Sequence, residues 1–466
     1  MIHQYINNDI RIVMDINSGS VHVADAIFYD AVMAAEPILG ELSEPRELAM
    51  GEIDAITREL ISKGYARGDI ESTLADMQKL IDAQELFTTD TYVEYIGDIK
   101  KRPTVVKALC LNVAHDCNLA CRYCFAGKGE YGGKKELMSF DVGKRAIDFL
   151  VQNSGNRRNL EIDFFGGEPL MNFDVVRQLV AYGRSLEGQY DKKFRFTMTT
   201  NGMLLNDEII DYCNKEMKNV VLSLDGTKAT NDYMRPTRNG KGSYDVIVPK
   251  FQEFAKKRGD REYYIRGTFT RHNLDFAKDV IHFADLGFNM MSIEPVVGSE
   301  DDEYAIRAED LPIILDEYDK LAREYIKRAK EGRGFTFFHF LIDLEQGPCV
   351  AKRLSGCGSG TEYLAITPNG DMYPCHQFVG EESFIMGNVY EGLKATDLQD
   401  EFKASCIYTK PKCQSCFARY YCSGGCGANS YKFHGSINDT YDIGCEMEKK
   451  RVECAIMIKA ALAYEL

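Results

Sequence analysis

Cys117, Cys121 and Cys124 fall within the stretch Cys-Asn-Leu-Ala-Cys-Arg-Tyr-Cys-Phe. A C-x₃-C-x₂-C triplet puts three thiolates on one short loop. Three thiolates hold three irons of a [4Fe–4S] cluster and leave the fourth free to bind something other than protein. With 15 cysteines in 466 residues, chance supplies such a triplet only about 0.016 times. Zinc is the competing reading, but structural zinc sites close with four ligands, commonly in two separated pairs. The spacing therefore predicts an open-site iron–sulfur cluster.

A second cysteine pattern lies near the C-terminus. Cys357, Gly370, Cys375, Cys413, Cys416, Cys422, Cys426 and Cys445 give C-x₁₂-G-x₄-C, then C-x₂-C-x₅-C-x₃-C, then a last cysteine. Seven thiols exceed what one tetrahedral metal takes and suit two cluster sites. A disulfide framework needs an oxidising compartment, and the N-terminal residues show no signal-peptide pattern. A zinc ribbon at Cys413 and Cys416 is the other alternative. Cys110, Cys213, Cys406 and Cys454 read as small apolar residues with no chemistry.

The triplet must be held by a scaffold. Lys107–Val113 reads as a buried strand, so the cysteine loop follows a strand's C-terminal end. Five more strand candidates follow: Asn159–Phe165, Lys193–Thr199, Asn219–Leu224, Tyr263–Thr270 and Asn289–Val296. Helical periods separate them at about Ser139–Gln152, Phe173–Leu186, Asp207–Lys218, Tyr244–Lys257 and Asp275–Ala284. Six β/α units in series predict an α/β fold, a parallel sheet curved into a partial TIM-like barrel with its active face at the strand C-termini. A flat doubly wound sheet is the alternative. Gly166-Gly167-Glu168-Pro169, Thr199-Thr200-Asn201-Gly202 and Ser223-Leu224-Asp225-Gly226 close the second, third and fourth strands. Glycine there admits a ligand to the backbone, and small polar side chains offer hydrogen bonds.

Together, the triplet and these strand ends resemble the radical S-adenosylmethionine (SAM) superfamily. The resemblance implies that the free iron chelates the amino and carboxylate groups of the cofactor's methionine. It also implies that Gly166, Gly167, Glu168 and Pro169 meet the amino group, Ser223 and Asp225 the ribose, and Arg235 the carboxylate. Tyr123 and Phe125 would flank the adenine, with Thr200 and Asn201 among the cofactor contacts. The C-terminal spacing is similar to the SPASM extension of peptide-modifying radical enzymes. That likeness implies two auxiliary [4Fe–4S] clusters, one on Cys413, Cys416, Cys422 and Cys445, the other on Cys357, Cys375 and Cys426. Cys349 is the natural fourth ligand of the second, the alternative being an open iron that binds a substrate thiolate.

The first ninety residues contain no cysteine. Ile10–Asp15 and Ser20–Ala24 around Asn17-Ser-Gly19 predict a hairpin. Helical patterns follow at about Ala26–Ala35, Arg46–Lys63 and Ile70–Ala83. A hairpin plus three helices reads as a winged-helix-like α+β domain. It could serve as a leader-peptide recognition element, in which an extended peptide adds a strand to the hairpin edge. A packing cap on the barrel is one alternative. A DNA-binding winged helix is another, disfavoured by the lack of clustered Lys and Arg.

The whole chain resembles the maturases of six-cysteine precursor peptides, the SCIFF maturases. The likeness runs from Ile10-Arg-Ile-Val-Met-Asp through Gly356-Cys-Gly-Ser-Gly to Tyr373-Pro-Cys-His-Gln-Phe-Val-Gly380. It implies a 5′-deoxyadenosyl radical generated from SAM and a thioether between a Cys sulfur and a side-chain carbon, of Thr or a similar residue, in a ribosomally made Cys-rich precursor bound through its leader. An electron donor such as flavodoxin or ferredoxin is implied as well. Other radical peptide modifications (Cα thioether, C–C crosslink, formylglycine) and a non-catalytic iron–sulfur sensor are the rival functions. No general acid or base can be named, although Glu294 and Arg266 lie on late strands facing the expected lumen. The expected domains are 1–92 for recognition, 93–310 for the radical barrel, 311–340 for a solvated, charge-alternating helical connector and 341–466 for the SPASM domain. A formal net charge of −15 with no basic stripe argues against nucleic acid. No apolar run approaches the roughly 18 residues of a membrane span. The expectation is a cytoplasmic enzyme with neither partner.

Overall fold

The computed structural model describes residues 1–464 apart from 102–103, 128, 300 and 346–349. Three N-terminal strands, β1 (Ile2–Asn7), β2 (Ile10–Asp15) and β3 (Val21–Ala24), form an antiparallel sheet in that order. β4 (Ala108–His115) is buried along its whole length, as expected of a parallel strand covered on both faces. The two-residue β5 (Glu136–Leu137) pairs antiparallel with its end. The barrel strands β6 (Asn159–Gly166), β7 (Lys193–Thr200), β8 (Met217–Ser223), β9 (Tyr264–Phe269) and β10 (Met290–Pro295) then follow, all parallel. Spatial order repeats chain order, β4-β6-β7-β8-β9-β10. This is the expected partial barrel of six β/α units, with helices at Phe140–Asn153, Phe173–Tyr190, Asp207–Glu216, Tyr244–Arg258 and Phe276–Asp285. Among the described residues no helix is long and apolar enough to cross a membrane.

Three features depart from the expected layout. First, the N-terminal hairpin gains β1. Asn8 and Asp9 both take positive φ, 50° and 63°, as a two-residue type I′ hairpin turn requires. The polar His3 and Gln4 hid this strand from an apolar-pattern reading. Central β2 also serves two cores. Ile12 and Met14 pack into the barrel core, while Val13 packs with the helices Ala26–Leu39, Met50–Ser62 and Arg67–Asp82. The pleat sends alternate side chains to opposite faces, so the sheet is sandwiched between domain and barrel.

Second, the helix Leu311–Lys330 is no solvated connector. Ile314, Tyr318, Leu321 and Ala322 are buried against the helices Phe276–Asp285 and Asp442–Ala463. Two of its charged residues are buried as well, each with partners. Glu317 accepts from Ala277 N at 3.2 Å, and Arg328 pairs with Asp285 at 2.7 Å. The helix leads into β11 (Thr336–Phe337), which lies parallel on the free edge of β10. A β/α unit therefore spans the expected boundary at 310.

Third, the cysteine-rich region continues the barrel sheet. β12 (Tyr363–Ile366) lies parallel on the other edge, beside β4, and turns back into a short antiparallel ladder. The final helix Asp442–Ala463 returns to the N-terminal sheet, where Tyr5 donates to the Glu453 carbonyl at 3.0 Å and Asn7 donates to Asp319 at 2.9 Å.

The turn after β2 rests on Asp15, which is fully buried. Its carboxylate accepts from Asn17 N, Ser18 N, Thr88 N and Thr88 Oγ1 at 2.7 to 3.2 Å. Asp15→Ala leaves these donors unsatisfied and should cost about 3 kcal/mol. Denaturant melts of the iron-free protein followed by tyrosine circular dichroism check this. An unchanged midpoint would remove the network from what holds the domain.

Candidate active site

The loop after β4 carries the triplet and is held on two sides. Ala120 N donates to the Pro236 carbonyl at 2.8 Å and Arg122 N to that of Met234 at 2.9 Å. Arg238 donates to the Cys117 carbonyl and pairs with Asp116 at 2.6 Å. Cys117, Cys121 and Cys124 line one cavity of ≈170 Å³ at the C-terminal ends of the barrel strands, within electrostatic reach of one another. Burial pushes the Cys117 thiol up to about 11 and that of Cys121 up to about 12. Such groups lose their protons only when a positive centre compensates the charge. Among the described residues no three His, Cys, Asp or Glu side chains converge on a single-ion site. All three thiols border the same cavity, which fits a cluster held by three thiolates.

The cavity wall is built from the strand ends. Gly166, Gly167, Glu168, Thr200, Asn201, Ser223, Tyr123, Phe125 and Arg235 all line it. Gly166 has φ +119°, and a Cβ there would sit 2.4 Å from the Ala114 carbonyl. A Cβ at Gly167 would lie 2.2 Å from that of Asp116. Glu168 is fully buried, accepting from Thr200 Oγ1 and Asn201 N at 2.7 Å and from Leu170 N at 3.1 Å. Asn201 Nδ2 donates to Cys117 Sγ at 3.5 Å and to Asn118 at 2.8 Å. Tyr123 donates to Asp225 at 2.6 Å and accepts from Arg235 at 2.8 Å.

Two expected contacts stand off the cavity. Pro169 opens a buried 3₁₀ turn. Asp225 is fully buried behind the wall, its carboxylate taken by Tyr123 and Thr268 N. The cavity is lined further by Arg266, Thr268, Glu294, His376 and Gln377, among others. Burial alone would raise the Glu294 carboxyl, but His339 at 3.1 Å, with Arg266 and Arg451, holds it well below the usual carboxylate range.

The C-terminal cysteines fall into two sets. Cys413, Cys416, Cys422 and Cys445 line a cavity of ≈340 Å³. Cys375 lies within electrostatic reach of Cys426 and Cys357. Burial pushes Cys375 up to about 12 and Cys413 up to about 11, so the donors here fit iron–sulfur clusters for the same reason as the triplet. Cys349 lies outside the described residues. Cys110, Cys213, Cys406 and Cys454 are buried.

Residues 111–284 match the sequence profile of the radical SAM superfamily, and residues 357–417 match that of an iron–sulfur cluster-binding domain, SPASM. The chain carries a radical SAM domain and a SPASM domain, and it is an enzyme. It is 26% identical to a cysteine-type anaerobic sulfatase-maturating enzyme of Clostridium novyi over 75% of its own length and 96% of that enzyme. A solved structure of anSMEcpe with bound AdoMet and Cp18Cys peptide superposes with a TM-score of 0.63 at 19% identity, covering 77% of this chain and 99% of that one. Streptococcus suis SuiB bound to precursor peptide SuiA gives a TM-score of 0.53 at 17% identity, covering 95% and 100%. Both structural likenesses establish the fold.

The radical SAM domain thus supplies most of the cavity and the SPASM domain closes it. His376 and Gln377 directly follow Cys375, and that adjacency was the available signal for them. Glu294 and Arg266 were placed on lumen-facing strands by pattern, without a role.

Replacing Cys117, Cys121 and Cys124 together with Ala should abolish 5′-deoxyadenosine formation and leave the SPASM iron in place, because the donor sets are separate. Iron assay and chromatography of the SAM products check this. SAM cleavage by a variant stripped of all iron would overturn the assignment.

Proposed function

We propose that this enzyme is a radical SAM peptide maturase of the SCIFF type, installing a thioether between a Cys sulfur and a side-chain carbon, of Thr by preference, in a ribosomally made Cys-rich precursor. The observation that carries the reading is the shared cavity. Residues beside the triplet and residues beside Cys375 line the same space, so substrate held there meets both donor sets. With its clusters and SAM bound, the site supplies hydrogen-atom abstraction and one-electron transfer. Joining S–H to C–H removes two hydrogens. One leaves as an atom, the other as a proton and an electron.

The chain's own residues position and shield. Tyr123, Asp225 and Arg235 brace the wall through a hydrogen-bonded triad anchored on the fully buried Asp225, so Arg235 presents its charge from a fixed place. Glu168 ties the ends of β6 and β7 together. The apolar Phe165, Pro295, Val296 and Val297 line the remainder and keep water from competing with the intended C–H bond. Cys375, next to cavity-lining His376, would help hold an auxiliary cluster able to take up the surplus electron.

Reading 1–92 as a recognition element rests on β3, which pairs with β2 on one side and, among the described residues, has no strand on its other edge. An extended leader adds a strand there through backbone bonds. The SuiB likeness, spanning almost the whole chain, supports a peptide-modifying enzyme with such a domain. The sulfatase-maturase structure leaves part of this chain without a counterpart. The precursor, a flavodoxin or ferredoxin donor, three [4Fe–4S] clusters and a cytoplasmic setting complete the proposal.

Anaerobic reconstitution should give about 12 irons per chain, three clusters of four. About 8 would break the two-cluster reading of the SPASM cysteines. Reduced enzyme, SAM and a Cys-rich precursor encoded beside the gene should yield peptide lighter by two hydrogens per crosslink, with one thiol lost to alkylation each time. Mass loss with every thiol still alkylated would exclude a thioether.

Because β2 feeds the barrel core, the leader site is better probed by substitution than by deletion. Successive amides of a strand point to opposite sides, so one of His22→Pro and Val23→Pro removes an outward N–H of β3. That variant should weaken leader binding about tenfold, the loss of one good hydrogen bond, in fluorescence anisotropy while uncoupled SAM cleavage persists. Unchanged affinity in both would return the domain to a packing role.

A further inference from the structure

Lys410 is 3% exposed, a long cationic side chain driven into the SPASM domain. It stands just before Pro411, which opens the short helix bearing Cys413. Its Nζ donates to the Gly424 carbonyl at 3.0 Å, and Gly424 lies between Cys422 and Cys426. Among the described residues no carboxylate pairs with it, whereas nearby Lys412 and Lys449 pair with Asp442 and Glu446. The titratable groups Lys410 does face are thiols: Cys413, Cys422 and Cys445 of one set and Cys426 of the other. A buried ammonium without a compensating anion is costly. Among the described residues the Gly424 carbonyl offsets only part of that cost, whereas two anionic thiolate-bound clusters would offset it further.

We propose that Lys410 is a positioning residue for electrons, a fixed cation between the two SPASM donor sets that raises the reduction potential of the centres they hold. This rests on the cluster reading of those cysteines and not on the thioether product. One-electron reduction adds one negative charge to a cluster. Coulomb attraction to a cation in a low-dielectric interior favours the reduced form, and net charge, hydrogen bonding and burial are the levers that set such potentials. Lys449 lines the same cavity as Cys413, Cys416, Cys422 and Cys445, but it is 34% exposed and already paired, so solvent and Glu446 blunt its field. The geometry thus singles out one lysine of the three.

The test is a dithionite titration with redox mediators, followed by electron paramagnetic resonance. It uses full-length reconstituted protein carrying the triple Ala substitution at Cys117, Cys121 and Cys124, so that the remaining signal belongs to the SPASM centres. Lys410→Met should make reduction about tenfold less favourable at a fixed poise, a fall of about 59 mV for a one-electron couple. Lys410→Arg should restore the potential, and Lys449→Met should leave it near that of the parent. If Lys410→Met fails to retain iron, Lys410→Gln, which keeps a donor for Gly424 without the charge, decides by the same shift. A parent-like potential in the charge-free variant with full iron would overturn the proposal and leave the maturase reading standing. A parent protein with no reducible SPASM signal would overturn the cluster reading and this proposal together.

Discussion

At the C-terminal ends of β4 and β6 two backbones approach to a distance only glycine allows. Gly167 N donates to the Ala114 carbonyl at 2.7 Å and Glu168 N to that of Asp116 at 2.9 Å. No side-chain carbon fits at 166 or 167 without striking those same carbonyls. This contact fixes where the cysteine loop leaves the sheet, and it aims Glu168 inward to gather Thr200 and Asn201. Asn201 in turn reaches Cys117. The cavity is therefore a consequence of how closely two strand ends are drawn together.

What was legible in the sequence was local. The cysteine spacings, the glycines at strand ends and the β/α alternation each depend on residues a few positions apart, and the structure places those elements within a few residues of the expected bounds. Pairing across hundreds of residues was not legible. β11 and β12 are short, and nothing in Thr336–Phe337 or Tyr363–Ile366 says which strand edge they join. The helix Leu311–Lys330 shows why charge pattern misleads. Its alternating charges describe one face, while Ile314, Tyr318 and Leu321 describe another that packs. Side-chain direction was equally hidden. Asp225 closes a strand as expected, but its carboxylate points into the wall because Tyr123 and Thr268 satisfy it there.

Lys410 apart, the electrostatics follow one rule. In a strongly acidic chain the buried charges are compensated in small groups: Asp225 with Arg235 and Tyr123, Glu294 with His339, Glu317 with a backbone amide and Lys320. Burial makes a lone charge expensive, so these partners also specify which surfaces come together.

The interlocking of the chain's two ends bears on how the protein is made. Ile12 and Met14 of β2 enter the barrel core, and Tyr5 and Asn7 of β1 bond to the helix Asp442–Ala463 and to Asp319, so these strands wait for residues made several hundred positions later. Contacts of such sequence separation raise the entropic barrier to folding. Until the helix Asp442–Ala463 emerges, one face of the N-terminal sheet is only partly covered, a state prone to association. The face toward the helices Ala26–Leu39, Met50–Ser62 and Arg67–Asp82 can close at once. The N-terminal domain is thus half-built before the helix Asp442–Ala463 is made, and a chain cut before that helix loses the seating of a domain that lies more than four hundred residues upstream.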